Sequence, residues 1–373
     1  MPAIKRPGKS LFPAVAAVFV ALLLTSTANA QNYHREALRI PFPGDAGRGL
    51  EALLIRPVGN GRYPLALMSH GLPRNAAERK NVWPGLMYPQ AIEFARRGYA
   101  ALVVMRRGYG DTDIPYAEDA GSCSPRNYML AAQASVQDLK AAVGAMKTRS
   151  DVTTERMIAV GHSAGGFASM AFAATAPAGL GAVISFAGGR GSRSEYDICE
   201  EARLIDAFSE FGKTARVPML WIYSENDLFF RPELSRKFHA AFTRAGGRAE
   251  FVLLPPFGQD GHAFFFNGVA QWTPIAERFL AAQGLLHDVR SPSTVAAIAA
   301  PPNLPATGKE AFARYLASGP YRSFAVAPNG SFGFWMGVRT PAEARQRALE
   351  GCAKYATDCA IYAVEDALEK PER

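Results

Sequence analysis

Short apolar runs alternate with longer helix-like segments between about residues 38 and 286, and this alternation predicts a mostly parallel α/β sheet. Six runs are continuously apolar, as expected for strands that are buried on both faces. They span 65–69, 100–105, 157–160, 182–186, 219–223 and 251–254. Segments 36–41 and 50–56 alternate apolar and polar positions, which favours antiparallel edge strands. Helices are predicted over 88–97, 131–146, 164–174, 232–245 and 271–283.

The composition changes after this region, because residues 289–308 are rich in Pro, Ala and Ser. Such a segment is typical of an extended linker, so we expect an α/β domain over 31–288 and a small C-terminal domain over 309–373. In the small domain, Asn329-Gly330 predicts a tight turn between strands 323–327 and 331–338. A helix from Pro341 to about Tyr355 and a strand over 360–364 complete a β-hairpin–α–β unit.

The first 30 residues have the pattern of a secretory signal peptide. Lys5, Arg6 and Lys9 precede an apolar stretch over 11–24, and small residues at 28–30 favour cleavage before Gln31. A membrane anchor is the alternative, but so short an apolar stretch is disfavoured as a span. We therefore expect a periplasmic or secreted protein with no stable membrane insertion after signal cleavage.

Export into an oxidising compartment makes the four cysteines interpretable as disulfides. Cys352 and Cys359 are close together in the small domain and are expected to pair, which leaves Cys123 with Cys199. None of the four has the spacing of metal ligands, and we expect no metal and no other cofactor.

The formal net charge of +8 falls to +5 without the signal segment, whose three charged side chains are basic. A nucleic-acid-binding protein concentrates Lys and Arg on one element, and the sequence contains no such run. The charge therefore indicates a mildly basic surface and no nucleic-acid partner.

The first candidate for a catalytic motif is Gly161-His162-Ser163-Ala164-Gly165, which lies between a predicted strand and a predicted helix. A G-x-S-x-G sequence in that context is typical of a nucleophile elbow. The strained turn exposes the serine hydroxyl, and the flanking glycines let backbone segments approach closely. Ser163 is therefore the predicted nucleophile.

A serine hydroxyl needs a general base near neutral pH, and His262 is the predicted base. It follows the last core strand in a glycine-containing loop, at the carboxyl edge of the sheet where α/β sites form. The other five histidines are expected to have other positions. His34 is near the mature N-terminus, His70 directly follows strand 65–69, and His162 is inside the elbow. His239 is expected within a helix, and His287 beside the linker.

The acid that orients the histidine is expected after a strand between Ser163 and His262. Asp227 follows strand 219–223 and is preferred, with Glu225 as the runner-up because it lies closer to the strand end. Asp260 is a weaker rival that is expected to support the histidine loop.

An oxyanion hole requires two backbone N–H groups that face the developing negative charge. Ala164 is the expected first donor, because it follows the nucleophile at a helix N-terminus. The loop after strand 65–69 is expected to provide the second donor, at Leu72, since Pro73 has no N–H.

His70-Gly71, the segment Arg107-Gly108-Tyr109-Gly110, the Ser163 elbow, Asp227 and His262 together resemble the α/β-hydrolase superfamily. Within it, residues 36–286 resemble bacterial dienelactone-hydrolase-like and acyl-peptidase-like serine esterases. The resemblance implies an eight-stranded, mostly parallel sheet with helices on both faces, and hydrolysis of an ester, thioester or amide. Dienelactone hydrolases proper have a cysteine at the elbow where this chain has Ser163, so lactone opening is not implied. The C-terminal segment resembles small cysteine-paired domains that are appended to exported bacterial proteins.

Substrate contacts are predicted at Arg107, Phe229 and Phe264, which follow strands at the site-facing edge. An acidic substrate would suit the basic residues near the site (Arg74, Arg79, Lys80, Arg106 and Arg107). The alternative is that Arg107 hydrogen-bonds the following turn, that the other basic residues are solvated, and that the phenylalanines pack in the core. Segment 187–217 is expected to form a short, rigid cover that Cys199 ties to the Cys123 loop.

The combined pattern predicts a serine carboxylesterase that acts through an acyl-enzyme on a small-molecule or polymer-borne ester. Two alternatives stay open: a serine peptidase or amidase of the same fold, and a non-catalytic exported binding protein built on a hydrolase scaffold.

Overall fold

The computed structural model describes residues 33–44, 47–287, 298–318, 321–338, 340–365 and 367–369. The predicted signal peptide lies outside these residues, as do residues 289–297 of the predicted linker. Among the described residues, no helix combines the length and the apolar character needed to cross a membrane.

A sheet of eight strands forms the centre of the larger unit, which confirms the predicted α/β-hydrolase fold. In chain order the strands up to residue 254 are β1 (Tyr33–Ile40), β2 (Leu50–Pro57), β3 (Tyr63–Ser69), β4 (Ala100–Val104), β5 (Val152–His162), β6 (Leu180–Phe186), β7 (Ser192–Ser194), β8 (Asp197–Ile198), β9 (Met219–Ser224) and β10 (Ala249–Leu254). The order across the large sheet is β1-β2-β4-β3-β5-β6-β9-β10, and β7 and β8 form a separate hairpin. Strands β1 and β2 are antiparallel, whereas β4, β3, β5, β6, β9 and β10 run parallel.

Helices cover both faces of this sheet, as its apolar strands require. They are α1 (Tyr88–Arg96), α2 (Tyr128–Lys147), α3 (Ala164–Ala174), α4 (Glu201–Thr214), α5 (Pro232–Arg244), α6 (Phe264–Asn267) and α7 (Val269–Ala282). Side chains of α2, α3, α4 and α5 pack in the core on one face, and those of α1 and α7 pack on the other. The parallel strands therefore bring the loops after β3, β5, β9 and β10 to one edge, where the site lies.

Segment 187–217 contains more than the predicted cover. Its first part, which comprises the loop after β6 with Arg190 and the β7–β8 hairpin, lies beside the site, whereas α4 is one of the helices that pack on the sheet. Leu204, Ala207, Phe208 and Phe211 recur at the three- and four-residue spacing of an amphipathic helix and are buried. This spacing is the signal that the sequence interpretation overlooked.

The C-terminal unit contains α8 (Ala306–Ala317), β11 (Ser323–Val326), β12 (Phe332–Trp335), α9 (Pro341–Ala353), β13 (Ala360–Val364) and β14 (Ala367–Leu368). Its four-stranded sheet has the order β12-β11-β13-β14. The hairpin turns at Asn329-Gly330 as predicted, but φ is positive at Gly330 and not at Asn329, so the turn is not the type I′ turn that the Asn-Gly pair favours. Helix α8 was not predicted, and it begins inside the segment that composition assigned to the linker. It packs because Ala311, Phe312, Tyr315 and Leu316 are buried against Phe324 of β11.

Two disulfides connect parts of the fold. Cys123 is bonded to Cys199, which joins the loop after β4 to the end of β8. Cys352 is bonded to Cys359, which joins the end of α9 to the loop before β13.

Candidate active site

Ser163 lies at the turn between β5 and α3 in a conformation that non-glycine residues rarely adopt, with φ of 54° and ψ of −121°. The flanking glycines make this turn sterically feasible. A Cβ at Gly161 would lie 2.1 Å from the Gly165 carbonyl oxygen, and one at Gly165 would lie 2.0 Å from the Ser69 carbonyl oxygen. The elbow is therefore pressed against β3, as a G-x-S-x-G turn requires.

His262 and Asp227 form a buried pair beside the elbow. The His262 Nδ1 atom is 3.1 Å from each Asp227 carboxylate oxygen, and the Asp227 side chain is fully buried. A hydrogen bond at Nδ1 places the Nδ1–H tautomer on His262 and leaves Nε2 to accept a proton. Ser163 and His262 line the same apolar cavity.

The acid loop, which carries Asp227, is held in place by hydrogen bonds to the carboxylates of Asp227 and Asp260. The Phe229 and Phe230 N–H groups donate to Asp227 Oδ1, at 2.7 and 2.9 Å. Asp260 Oδ1 accepts from the His262 N–H at 2.9 Å and from the Leu228 N–H at 3.1 Å. Asp260 thus joins the histidine loop to the acid loop, while Glu225 is exposed at the surface.

The imidazole of His262 is also fixed by aromatic neighbours. Phe229 stacks on it, with ring centroids 3.8 Å apart and an interplanar angle of 15°. The Arg74 guanidinium lies 3.7 Å from the Phe229 ring centroid. His162 Nε2 donates to the His262 carbonyl oxygen at 2.9 Å, and burial lowers the pKa of His162 to about 3, so that this ring stays neutral.

The loop after β3 brings Leu72, one of the two predicted oxyanion donors, to the cavities that Ser163 lines. Leu72 lines both of the cavities that Ser163 lines, and the Ala164 N–H lies at the first turn of α3, where it has no intrahelical acceptor. His70 fixes this loop: its Nδ1–H donates to the Gly71 carbonyl oxygen at 2.7 Å, and its Nε2 accepts from the Arg106 N–H at 3.1 Å. Burial lowers the pKa of His70 well below its ordinary value, so it is a neutral structural residue.

The sequence interpretation missed a buried cluster of charges behind the elbow. Arg106, Glu118 and Arg190 have fully buried side chains, and Glu118 contacts both arginines. Arg106 also donates to the Ser69 hydroxyl at 2.6 Å and to the His70 carbonyl oxygen at 2.8 Å. Burial alone would raise the pKa of Glu118, but the two guanidinium groups hold it at about 2.

Two of the predicted substrate contacts do not reach the site. Arg107 pairs with Asp138 at 2.5 Å and lies over the Phe42 ring, in a cavity that Ser163 does not line. Phe264 is buried in the core, where it packs on Phe257. Phe229 does line the site, and Phe266 lies on the cavity wall in place of Phe264.

Ser163 lines two cavities of different character. One has a volume of ≈ 230 Å³ and an apolar wall that includes Trp83, Leu86 and Phe266. The other has a volume of ≈ 480 Å³, and arginines contribute much of its wall. No group of His, Cys, Asp and Glu side chains in the described part of the chain is arranged to hold a metal ion.

The sequence profile of the dienelactone hydrolase family matches residues 87–278, which is more than half of the chain. No curated protein matches it. A putative dienelactone hydrolase from Klebsiella pneumoniae is 18% identical, with a TM-score of 0.48 over 68% of this chain and 98% of that one. A Pyrococcus furiosus esterase is 14% identical, with a TM-score of 0.47 over 67% of this chain and 90% of that one. The Pyrococcus horikoshii acylaminoacyl peptidase is 15% identical, with a TM-score of 0.49 over 68% of this chain, which spans only 42% of that protein.

Proposed function

The chain belongs to the dienelactone hydrolase family, and from this premise we propose that it is an exported serine hydrolase that cleaves carboxylic esters through an acyl-enzyme. Ser163 is the nucleophile, His262 is the general base and Asp227 is the acid that orients it. The observation that carries the proposal is the His262–Asp227 pair, with 3.1 Å between Nδ1 and each carboxylate oxygen, beside a serine at a left-handed turn.

Acylation follows from these positions. The Ser163 Oγ attacks the ester carbonyl carbon while its proton passes to His262 Nε2, and Asp227 stabilises the imidazolium that forms. The Leu72 and Ala164 N–H groups donate to the carbonyl oxygen as it gains negative charge. When the carbon–oxygen bond to the alcohol breaks, His262 returns the proton to the leaving oxygen, and the acyl group stays on Ser163.

Deacylation uses the same groups in the reverse direction. His262 Nε2 accepts a proton from water, and the resulting hydroxide equivalent attacks the acyl carbon. The tetrahedral intermediate then collapses, the proton on His262 passes to Ser163 Oγ, and the product leaves as the carboxylic acid, which loses its proton to solvent. Atoms and protons balance without a cofactor in this scheme.

The two disulfides support export, because such bonds persist in oxidising compartments. We place the mature protein in the periplasm or outside the cell, with the signal peptide removed before Gln31.

A fluorophosphonate probe tests the nucleophile. We expect the native protein to be labelled and Ser163→Ala to remain unlabelled. With 4-nitrophenyl hexanoate as substrate, we expect His262→Ala to lower kcat by about a thousandfold or more, as loss of a triad member generally does. The control is His34→Ala, which should retain the native rate because His34 is at the exposed start of β1.

Equal labelling of Ser163→Ala, or a native-like rate for His262→Ala, would refute the mechanism. A folded native protein that neither labels nor turns over the ester would indicate a binding protein instead. Faster turnover of an aminoacyl 4-nitroanilide than of the hexanoate would replace the ester by an amide as the substrate class.

A further inference from the structure

The two cavities that meet at Ser163 differ in which catalytic group they contain. His262 lines the apolar cavity and does not line the arginine cavity, whereas Ala164 lines only the arginine cavity. A leaving group must lie on the side of His262, because that residue returns the proton to the leaving oxygen. The apolar cavity therefore receives the alcohol, and the arginine cavity receives the acyl chain.

The buried cluster behind the arginine cavity contains an uncompensated positive charge. Arg190 donates to Glu118 at 3.2 Å and to the Tyr116 hydroxyl at 3.4 Å, and its buried Nε has no hydrogen-bond partner. Glu118 also forms an ion pair with Arg106, so that a single carboxylate is the ion-pair partner of two fully buried guanidinium groups. Because an unbalanced buried charge is costly, this arrangement favours an anion in the adjoining cavity.

Three further arginines on the cavity wall have no carboxylate within ion-pair distance among the described residues: Arg74, Arg79 and Arg126. Arg74 donates to the Ser192 hydroxyl at 3.0 Å, Arg79 to the Ala76 carbonyl oxygen at 3.1 Å, and Arg126 to the Gly121 carbonyl oxygen at 2.7 Å. These contacts orient the guanidinium groups without neutralising them.

The acidic groups near this wall are few. Arg193 is paired with Asp197, and Glu118 is shared as described. Asp119 lines the cavity and accepts the Gly121 N–H at 2.9 Å, while Glu200 accepts the Arg126 backbone N–H at 2.8 Å. The wall therefore keeps an excess of positive charge, which focuses a favourable potential for anions in the cavity.

We propose that the arginine cavity is an acyl-side carboxylate subsite, so that the preferred substrate is a half-ester of a dicarboxylic acid with an apolar alcohol. This inference rests on the proposed esterase function. The carboxylate at the far end of the acyl chain lies against the guanidinium groups of Arg79 and Arg126, since arginine binds carboxylates through paired donors. The fully buried Arg190 adds its positive charge from behind the cavity wall. The alcohol lies among Trp83, Leu86 and Phe266.

Matched esters test the subsite. The monoester 4-nitrophenyl hydrogen adipate differs from 4-nitrophenyl hexanoate only by a terminal carboxylate in place of a methyl group. With the uncatalysed rate subtracted, we expect kcat/KM to be at least about tenfold higher for the adipate monoester, and we expect the ratio to fall in about 0.5 M salt because ions screen the attraction.

Substitutions locate the effect. We expect the ratio to fall about threefold or more in Arg79→Gln and in Arg126→Gln, and about tenfold in the double variant, because each removes one guanidinium charge. Arg244→Gln is the matched control, since Arg244 is exposed at the end of α5 and should leave the ratio unchanged. The ester 4-carboxyphenyl hexanoate carries the charge on the alcohol instead, and it should gain nothing over phenyl hexanoate.

The outcomes separate the subsite from the esterase proposal. If the hexanoate ester is cleaved and the adipate monoester is no better, the subsite is refuted while the esterase stands. A native-like ratio in the double variant would refute its location, and a preference for 4-carboxyphenyl hexanoate would refute its orientation. If neither ester is cleaved and the fluorophosphonate fails to label, the esterase proposal itself is wrong.

Discussion

Replacing Glu118 by glutamine perturbs the charge that holds the site together while keeping the side chain nearly the same size. The Glu118 carboxylate contacts Arg106, accepts from the Ser135 hydroxyl at 2.7 Å, and accepts from Arg190 at 3.2 Å. In Glu118→Gln one oxygen becomes an amide NH₂, which faces guanidinium donors and cannot accept from them. Two buried guanidinium groups then have no counter-charge.

The size of the expected effect follows from the same contacts. Removing one partner of a buried ion pair costs about 3–5 kcal/mol, because the remaining charge stays buried. The pKa gives a consistent figure: a change from the ordinary value of 4.5 to about 2 corresponds to about 3 kcal/mol of stabilisation in the ionised form. Both figures are a large fraction of the roughly 5–15 kcal/mol that separates a folded domain from its unfolded state.

The pH dependence has a definite sign. Because the folded-state pKa of Glu118 lies below its unfolded value, its contribution is complete above about pH 4.5 and is lost as the pH falls from 4.5 towards 2. The variant has no carboxylate to protonate at this position. The difference in stability between native protein and Glu118→Gln should therefore be largest near pH 7 and shrink below pH 4.5.

Thermal unfolding followed by circular dichroism measures this difference. At about 2–4 °C per kcal/mol for a domain of this size, we expect Glu118→Gln to unfold roughly 6–20 °C below the native protein at pH 7. The control is Glu210→Gln, which breaks only the exposed pair with Lys213 and should cost less than about 1 kcal/mol. A Glu118→Gln midpoint within 2 °C of native, or a difference that does not shrink at acid pH, would refute the reasoning.

Two shorter predictions concern the elbow and the N-terminus. Gly165→Ala should fail to fold or should unfold at a much lower temperature, because its Cβ would lie 2.0 Å from the Ser69 carbonyl oxygen. The control is Gly144→Ala in helix α2, which should match or exceed native stability because nothing lies within 4 Å of the new Cβ. Equal thermal stability of the two variants would contradict the packing argument. N-terminal sequencing of the protein recovered from the periplasm or medium should begin near Gln31, and a chain that retains Met1 would argue against signal cleavage.

The central strands could be predicted from the sequence because each is a continuous apolar run that only a doubly covered sheet accommodates. Helix α3 has the bounds that the pattern predicts, Ala164–Ala174, since it starts at the elbow and ends with its apolar run. Helices α4 and α8 were overlooked for different reasons. The first lies in a segment read as a cover, and the second begins among the prolines and alanines that indicated a linker.

The residues proposed as catalytic were accessible to sequence reasoning because each follows its own strand, so that chain order indicates a shared sheet edge. Their mutual support was not accessible in this way. The Phe229–His262 stack and the Asp260 hydrogen bond to the His262 N–H depend on how two loops approach each other. A pattern along the chain indicates that these loops meet, but not which atoms do.

The arginines show most clearly where the pattern stops being informative. Arg106 and Arg107 both follow β4, and alternation along a strand would place their side chains on opposite sides. The first turns inward to Glu118 and the second turns to Asp138, and the sequence interpretation chose the second as the substrate contact. The choice depends on Glu118, which lies in a loop that Cys123 ties to Cys199, and on Arg190, which comes from the loop after β6. Since neither partner has a periodic position, only the tertiary structure decides which arginine faces the elbow.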